Sequence, residues 1–148
     1  MTMELQLLRT RHPPEIFLQQ LIELLQSEGF KISLEDIHSR IDKLPGEDRL
    51  LLAVEGERLY GYAHLAISHD LMDSETAVVV SVIVRENKRR QGVGRRLIAA
   101  AETWASQSGR SRLLLRTDVV RTGAHAFFVA LGYDGSSTQL EFIRHLSD

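Results

Sequence analysis

The run Thr76–Val84 constrains the fold of this chain more than any other segment. It reads TAVVVSVIV and holds five valines and one isoleucine. β-Branched residues in an unbroken apolar run are typical of a strand that is buried on both faces. Because such a strand needs neighbouring strands at its edges and other elements packed on its faces, we expect it at the centre of a covered sheet.

The segments on either side of this run predict the rest of the sheet and its helices. Upstream, apolar residues recur first with a period of two and then at helical spacing, and two apolar segments flank Gly56. These patterns predict a strand, two helices and a β-hairpin at residues 3–7, 14–28, 33–44, 50–54 and 59–67. Downstream, a helix, a strand, a helix and a last strand are predicted at residues 93–108, 113–115, 124–131 and 138–146. The order is that of an α/β domain without repeats or internal linkers.

Length and composition exclude several classes of protein. With 148 residues, the chain is expected to form a single domain over residues 1–148. It has no cysteine, and therefore no disulfide, thiolate nucleophile or sulfur-bound metal. No apolar run approaches the roughly 20 residues of a membrane span, and residues 1–9 lack the pattern of a secretory signal. A net charge of −2 disfavours a general nucleic-acid binder. We therefore expect a cytoplasmic protein with no membrane or nucleic-acid partner; binding of nucleic acid by the basic residues 88–96 is the less favoured alternative.

A basic, glycine-rich turn at residues 85–94 separates the valine-rich strand from the next helix. Gly92 and Gly94 allow the main chain to approach a ligand, and Arg89, Arg90 and Arg95 add positive charge. The first N–H groups of a helix have no partner within it and lie at the positive end of its dipole, so the turn predicts a phosphate or pyrophosphate site. The competing interpretation is a helix cap beside a solvated arginine face. The turn matches neither the dinucleotide fingerprint nor a P-loop, which indicates a different phosphate ligand.

Two short motifs resemble those of one enzyme superfamily. Residues 89–94 read RRQGVG, which resembles the acetyl-CoA signature of the GNAT superfamily of acetyltransferases: arginine or glutamine, two residues, glycine, one residue, then glycine or alanine. Residues 121–133 read RTGAHAFFVALGY and are similar to a C-terminal motif of the same superfamily. The motifs and the predicted elements follow the superfamily's order over nearly the whole chain.

The resemblance implies an α/β (α+β) fold of the GNAT acyl-CoA N-acyltransferase type. Its central sheet is mixed and mostly antiparallel, with helices on both faces and with the fourth and fifth strands splayed apart. Acetyl-CoA, the co-substrate, would lie between these strands, with its pyrophosphate on the amides of residues 90–95; no metal is implied. The residues expected to contact acetyl-CoA are Val82, Ile83, Val84, Arg89, Arg90, Gln91, Gly92, Val93, Gly94, Arg95, Arg121, His125 and Phe128.

The residues for proton transfer depart from the pattern of the superfamily. Many members place a glutamate in the fourth strand as general base, whereas Val78 and Ser81 stand at the corresponding positions here. Glu75, at the start of that strand, is the nearest carboxylate. Glu75 and Ser81 are therefore the candidate catalytic residues, with an ordinary turn residue and a small strand residue as the competing interpretations. His64 and His69 on the preceding hairpin are titratable near neutral pH.

A second departure concerns the group that protonates the leaving thiolate. Phe128 stands where many members carry a tyrosine thought to donate this proton, and a phenyl ring has no proton to donate. Tyr133 is expected to pack as a core aromatic residue. Solvent or another group must therefore protonate the sulfur.

The expected function is transfer of the acetyl group of acetyl-CoA to a primary amine of a small molecule or peptide. The alternative is a GNAT-fold acyl-CoA-binding or regulatory module with weak or no transferase activity, which Phe128 and the missing glutamate favour. The Arg-x-x-Ala-His block is similar to that of small-molecule N-acetyltransferases and names no substrate. A homodimer is a further expectation from the resemblance.

Overall fold

Residues 4–116 and 122–147 are described by a computed structural model, in which the chain divides into two units, Met1–Arg116 and Thr117–Asp148. The first unit contains a sheet and three α-helices in its described part. Along the chain its elements are β1 (Gln6–Thr10), α1 (Glu15–Ser27), α2 (Leu34–Asp42), β2 (Arg49–Glu55), β3 (Arg58–Ile67), β4 (Thr76–Val84), a 3-10 turn (Glu86–Lys88), α3 (Val93–Gln107) and β5 (Arg112–Leu115). The second unit contains α4 (Thr122–Ala130).

The five strands form one sheet in the order β1-β2-β3-β4-β5, so strands that follow one another along the chain are also neighbours in space. The pairs from β1 to β4 are antiparallel, and β5 runs parallel to β4. A parallel pair needs a long crossover connection, and α3 lies in this one. The predicted mixed, mostly antiparallel sheet is confirmed.

Helices cover both faces of this sheet. Residues 51–54 of β2 alternate between two buried clusters, as the period of a strand requires. On one face α1 and α2 pack against Leu52, Val54, Leu59, Tyr62 and Ile83. On the other face α3 packs against Leu51, Ala53, Ala63, Leu65, Ala77 and Val79. Full burial of one leucine side chain stabilises a fold by about 1.5–3 kcal/mol, so these two layers supply most of the driving force for folding.

The start of α2 shows how closely local sequence determines an element. The Ser33 hydroxyl accepts a hydrogen bond from the Asp36 N–H at 3.0 Å, and the Asp36 carboxylate accepts one from the Ser33 N–H at 3.0 Å. Together they form a capping box. The bond from the Ser33 backbone, followed by that from its side chain, lowers the pKa of Asp36.

Two predictions about strands in the first unit need correction. The first strand begins at Gln6 and not at residue 3, and residues 1–3 lie outside the described part of the chain. Burial of β4 on both faces holds for its first four residues but is wrong beyond them, because Val80 is 51% exposed and Ser81 is partly exposed. The second half of β4 therefore borders solvent.

The second unit contains the predicted C-terminal helix but not the predicted last strand. α4 is followed by Gly132 at φ +95°, a left-handed conformation that ends a helix readily. Residues 133–147 form neither helix nor strand. The apolar side chains expected to alternate in a strand are largely exposed, and Ile143 follows Phe142 directly, which breaks the period of two. In the described ranges, no helix has the length and apolar composition needed to cross a membrane.

Candidate functional site

The site lies where β4 changes its pairing halfway along its length. Val79 pairs with Leu65 and Ser81 pairs with His64, so Val80 is an extra residue that forms a β-bulge on β4. On the opposite edge, pairing with β5 extends from Thr76 to Val79 and stops there. A bulge disrupts the ladder and increases the local twist of its strand, which turns the rest of β4 away from its neighbour. Among the residues described, no strand pairs with this edge of β4 at residues 80–84.

The backbone of Val82 and Val84 is directed toward that open edge. Just beyond β4, the N–H of Arg85 donates to the carbonyl oxygen of Tyr60 on β3 at 2.7 Å. Because successive peptide groups of a strand point to opposite edges, the groups of Val82 and Val84 face the edge away from β3. An extended polyamide such as pantetheine could therefore add to β4 by main-chain hydrogen bonds to Val82 and to the Val84 N–H, whereas the Val84 carbonyl oxygen accepts from Arg89. The family resemblance implies such contacts for these two residues.

The turn after β4 presents a helix N-terminus to the same edge. Gly92 is the residue before α3 and has φ +85°, and Arg90 has φ +65°. A Cβ atom on Gly92 would meet no other atom within 4 Å, so the space above the turn is open. The N–H groups of the first turn of α3 have no acceptor within the helix, which makes this turn suited to an anion.

The arginines of the turn divide into two roles. Arg89 donates through Nε to the Val84 carbonyl oxygen at 3.0 Å and through Nη2 to Glu28 at 3.1 Å, and so fixes the turn to β4 and α1. Arg90 and Arg95 are exposed at the surface of the turn. The expectation that Arg89 lies near the phosphates is therefore less well supported than the same expectation for Arg90 and Arg95.

Several predicted contact residues present only main chain to this edge. Val93 and Ile83 have buried side chains, at 1% and 8% exposure, and they belong to the clusters on opposite faces of the sheet. Val82 and Val84 pack against the α3 cluster. The contacts predicted for Val82, Val84 and Val93 would therefore be made by backbone groups. Ile83 pairs with Tyr62 and directs its peptide groups toward β3, so the contact expected for Ile83 is less well supported. Gln91 donates its side-chain amide to the Asn87 carbonyl oxygen at 3.1 Å.

The two candidate catalytic residues lie in different places. Ser81 directly follows the bulge, and its hydroxyl is 2.6 Å from the Tyr62 hydroxyl. Burial raises the pKa of Tyr62, an effect that the bond to Ser81 opposes. Glu75 precedes β4, five residues before the bulge, which corresponds to about 17 Å along an extended strand. Its carboxylate is exposed and accepts from the Ser111 hydroxyl at 3.3 Å.

A hydrogen-bonded pair, His64 and Asp48, lies beside the bulge, and sequence reasoning missed Asp48. The His64 Nε2 and an Asp48 carboxylate oxygen are 2.7 Å apart, with side-chain exposures of 19% and 8%. Asp48 precedes β2, and the hairpin register pairs Arg49 with Leu65. The predicted hairpin around Gly56 already places residues 48 and 64 close together. A search for polar pairs across that register was the signal that could have identified this pair.

Carboxylates surround the start of β4, at the end opposite the phosphate turn. The His69 ring is 2.7 Å from Glu47, which connects the loop after β3 to the loop before β2. Asp73 accepts from Thr76 and, at 2.7 Å, from Arg112. These bonds, led by that from the Thr76 side chain, lower the pKa of Asp73. We call this group the acidic rim; its carboxylates are Glu47, Asp48, Asp70, Asp73 and Glu75.

The predicted contact residues of the second unit lie on α4. His125 and Phe128 are three residues apart, so they share one face of the helix. The Phe128 ring packs against Phe127 and Tyr133, with ring centroids 5.4 and 6.3 Å away. Tyr133 thus packs on Phe128 but is partly exposed and belongs to neither buried cluster, so its placement as a core residue stays a prediction. Arg121 lies outside the described residues.

Comparison with known proteins identifies a family and a set of similar proteins. A sequence model of the Acetyltransferase (GNAT) family matches residues 16–133. The chain is 33% identical over 76 residues to an aminoglycoside N(6')-acetyltransferase type 1 of Serratia marcescens, a match that spans 49% of this chain and 52% of that enzyme. It is 26% identical over 113 residues to the enzyme of the same name from Stenotrophomonas maltophilia, spanning 74% of this chain and 73% of that enzyme.

Among solved structures, the fold is similar to that of AAC(6')-Iy in complex with the bisubstrate analogue CoA-S-monomethyl-acetylneamine. The TM-score is 0.82 and the sequence identity is 16%, with 96% of this chain and 99% of that chain covered. At this level of identity the comparison shows a shared fold.

Proposed function

Because the chain belongs to the GNAT family of acetyltransferases, we propose that it transfers the acetyl group of acetyl-CoA to a primary amine of a small, cationic molecule. The single observation that supports this most directly is the open edge of β4 next to the N-terminus of α3. This edge offers main-chain partners for an amide chain and a site for its pyrophosphate within one continuous surface. Aminoglycosides are the first acceptors to test, since both curated relatives are named as aminoglycoside N(6')-acetyltransferases.

The residues of this edge fit an acyl-CoA. Val82 and Val84 would hold the pantetheine amides, and the first turn of α3 would hold the pyrophosphate, with Arg90 and Arg95 nearby. Gly92 leaves open space where a side chain would obstruct the phosphates. When bound, the thioester supplies the activated acetyl carbon. We retain His125, Phe128 and Arg121 as proposed contacts from the second unit.

The bulge would serve the reaction by leaving main-chain N–H groups unpaired beside the acetyl group. A thioester oxygen gains negative charge as the amine attacks, and fixed N–H donors stabilise that charge. Beyond the bulge, the hydroxyls of Ser81 and Tyr62 are bonded to each other and form a candidate route for a proton to the departing sulfur. This route would supply the donor that Phe128 lacks. The position of Glu75, about 17 Å along the strand from the bulge, supports Ser81 over Glu75 as a catalytic residue.

The acidic rim supports a cationic acceptor. It lies at the end of β4 that the phosphate turn does not occupy, so donor and acceptor would approach the bulge from opposite ends of the strand. Carboxylates attract and orient ammonium groups. By contrast, Glu28 and Glu23 of the first helical segment interact with Arg89 and Arg85 and are not part of this rim.

The test is thiol release on mixing the protein with acetyl-CoA and aminoglycosides that carry, or lack, a 6'-amine. We expect turnover with the former and a strong reduction with the latter. Calorimetric titration with acetyl-CoA accompanies it. Acetyl-CoA binding without turnover on any amine would favour the acyl-CoA-binding module instead, and the absence of both would refute the proposal.

A further inference from the structure

We propose that His64 is the general base of the acetyl transfer and that Asp48 is its positioning residue. This inference rests on the proposed function and adds to it the group that removes the proton from the acceptor ammonium. The sequence offered no glutamate for this role at Val78 or Ser81. The structure offers a partly exposed imidazole beside the bulge, bonded to a buried carboxylate.

The register of the sheet places His64 at the reaction site. His64 and Ser81 are Cα partners across β3 and β4, next to the bulged Val80. Tyr62 and His64 are two residues apart on β3, so their side chains point to the same face of the sheet. The Tyr62 hydroxyl contacts Ser81, so the His64 ring lies on the face where Ser81 is presented.

Strand spacing sets the reach that the base requires. Neighbouring strands are about 4.8 Å apart, so a chain added along the open edge of β4 would lie two spacings, about 10 Å, from the backbone of His64. An imidazole together with the acceptor amine, or with one water, spans that distance. His64 would therefore act on the amine or through a single water molecule.

The groups around His64 leave it as the titratable base. In residues 77–84 of β4 there is no ionisable side chain. Tyr62 is the nearby ionisable residue of β3, and burial raises its pKa, which disfavours the phenolate. Asp48 precedes β2 and Arg49 begins it, and Arg49 is bonded to the carbonyl oxygens of Gly46 and Asp48. Asp48 also lines a cavity with Arg11 and His12, which follow β1, and with Asp42 at the end of α2.

The bond to Asp48 determines which ring nitrogen accepts the proton. A carboxylate accepts hydrogen bonds, so the His64 Nε2 carries the hydrogen that it donates to Asp48 at 2.7 Å. The neutral ring then has its lone pair on Nδ1. A carboxylate in this position also stabilises the imidazolium that forms when Nδ1 takes a proton.

The proposed step is balanced in atoms and charge. The acceptor R–NH3+ gives one proton to Nδ1 of His64, and the neutral nitrogen bonds to the acetyl carbon while the carbon–sulfur bond breaks. The nitrogen loses its second proton and the sulfur gains one, so acetamide and free thiol are formed. His64 returns its proton to solvent, which accounts for the one proton released in each turnover.

The pH dependence of kcat/KM tests this role. We expect kcat/KM of the native protein to rise with pH across the window in which imidazoles lose their proton. His64→Gln is expected to lower kcat/KM by roughly 10²-fold or more and to abolish that rise. His38→Gln is the matched control, because His38 of α2 forms an exposed pair with Glu15 of α1 at 3.1 Å and should leave the profile unchanged.

Asp48→Asn tests the positioning role. Loss of the anionic partner disfavours the protonated imidazole, so the rise in kcat/KM should move to lower pH while kcat falls. A merely structural contribution would lower activity equally at every pH and leave the profile in place. That outcome would overturn the role assigned to Asp48.

A measurement on the free protein keeps this inference separate from the proposed function. Long-range 1H–15N NMR of the imidazoles should show neutral His64 protonated at Nε2 in the native protein. A native Nδ1–H tautomer would overturn the inference. If the native protein transfers acetyl groups and His64→Gln keeps the same pH profile, the base is another group and the proposed function stands. If no amine is acetylated, the proposed function itself fails.

Discussion

Gly92 contributes both to the backbone conformation of the turn before α3 and to the proposed anion site there. Its φ of +85° belongs to the left-handed region, and the space around its missing Cβ is empty. A substitution here therefore separates backbone strain from obstruction of the ligand. The sequence pattern alone identified this residue, because a helix-opening glycine next to arginines has a direct physical meaning.

Gly92→Ala and Gly92→Glu form a matched pair. Each non-glycine residue at this φ should cost about 1 kcal/mol of unfolding free energy. Only the glutamate adds bulk and negative charge to the phosphate turn, so we expect its affinity for acetyl-CoA to fall at least about tenfold below that of Gly92→Ala. Calorimetric titration of both variants checks this, and equal affinities would place the pyrophosphate elsewhere.

Asp73 gives a prediction about pH. Its hydrogen bonds to Thr76, to the Glu75 N–H and to Arg112 lower its pKa in the folded protein. A depressed folded pKa stabilises the fold above the unfolded value of 3.8, and this contribution is lost as pH falls through the folded pKa. Asp73→Asn should therefore lower the unfolding free energy at pH 7 and have little effect once the native carboxyl is protonated.

Urea unfolding at both ends of this pH range measures the effect. Glu57→Gln, in the hairpin tip, is the control and should follow the native protein at each pH. If the unfolding free energy of Asp73→Asn stays below that of the native protein by the same amount at acid pH, the loss comes from packing and not from charge.

At the scale of elements, close approach between β3, β4 and α3 depends on Gly61. A Cβ atom there would lie 2.9 Å from the Ile83 carbonyl oxygen and 3.3 Å from a methyl group of Leu97. Because the first contact is with backbone, relief requires movement of β4 itself. This is the half of β4 that forms the open edge.

Gly61→Ala should therefore destabilise the protein by about 1–3 kcal/mol, as overpacking does in a closed core. Gly46→Ala is the matched control, since its Cβ would meet only the Arg11 guanidinium at 3.6 Å, an ordinary contact. Chemical unfolding of both variants provides the comparison. Equal unfolding free energies for Gly61→Ala and Gly46→Ala would mean that β4 can move away from the added methyl group without loss of stability.

The sequence predicted elements well where a local signal exists. The hairpin about Gly56 and the valine-rich strand β4 are confirmed as elements. The bulge at Val80 was not predictable, because a valine among valines gives no sign of an extra residue in the ladder. The predicted last strand does not form, because a pattern of apolar residues is not sufficient for a strand. A strand also needs a neighbouring strand whose backbone groups pair with its own.

At the scale of the whole chain, the family and its fold were predicted from two motifs and are confirmed by the match over residues 16–133. With them, the predictions of an acetyltransferase and of acetyl-CoA as its donor are supported by the family. The residues proposed for proton transfer were harder to predict, because they are brought together by the sheet register. Asp48 and His64 illustrate this, since neither is part of a motif.

The distribution of charge along β4 gives a prediction for the whole enzyme. Basic residues lie at the phosphate turn and carboxylates form the acidic rim at the other end, although the net charge is only −2. Salt screens attraction between exposed charges, with a Debye length of about 8 Å at 0.15 M. The KM for a polycationic acceptor should therefore rise several-fold between about 0.05 and 0.5 M salt, whereas the KM for a monoamine should change much less. Steady-state kinetics at constant acetyl-CoA saturation measures both.

The open edge of β4 also bears on how the protein should be handled. Within residues 4–116 and 122–147, no strand pairs with this edge at residues 80–84, and such an edge is a template for another strand. Protein without ligand would therefore expose a site for edge-to-edge aggregation. A molecule that adds to this edge would protect it in the same way as a neighbouring strand. Purification and storage with CoA should therefore preserve monodispersity, most of all for variants that loosen the turn after β4.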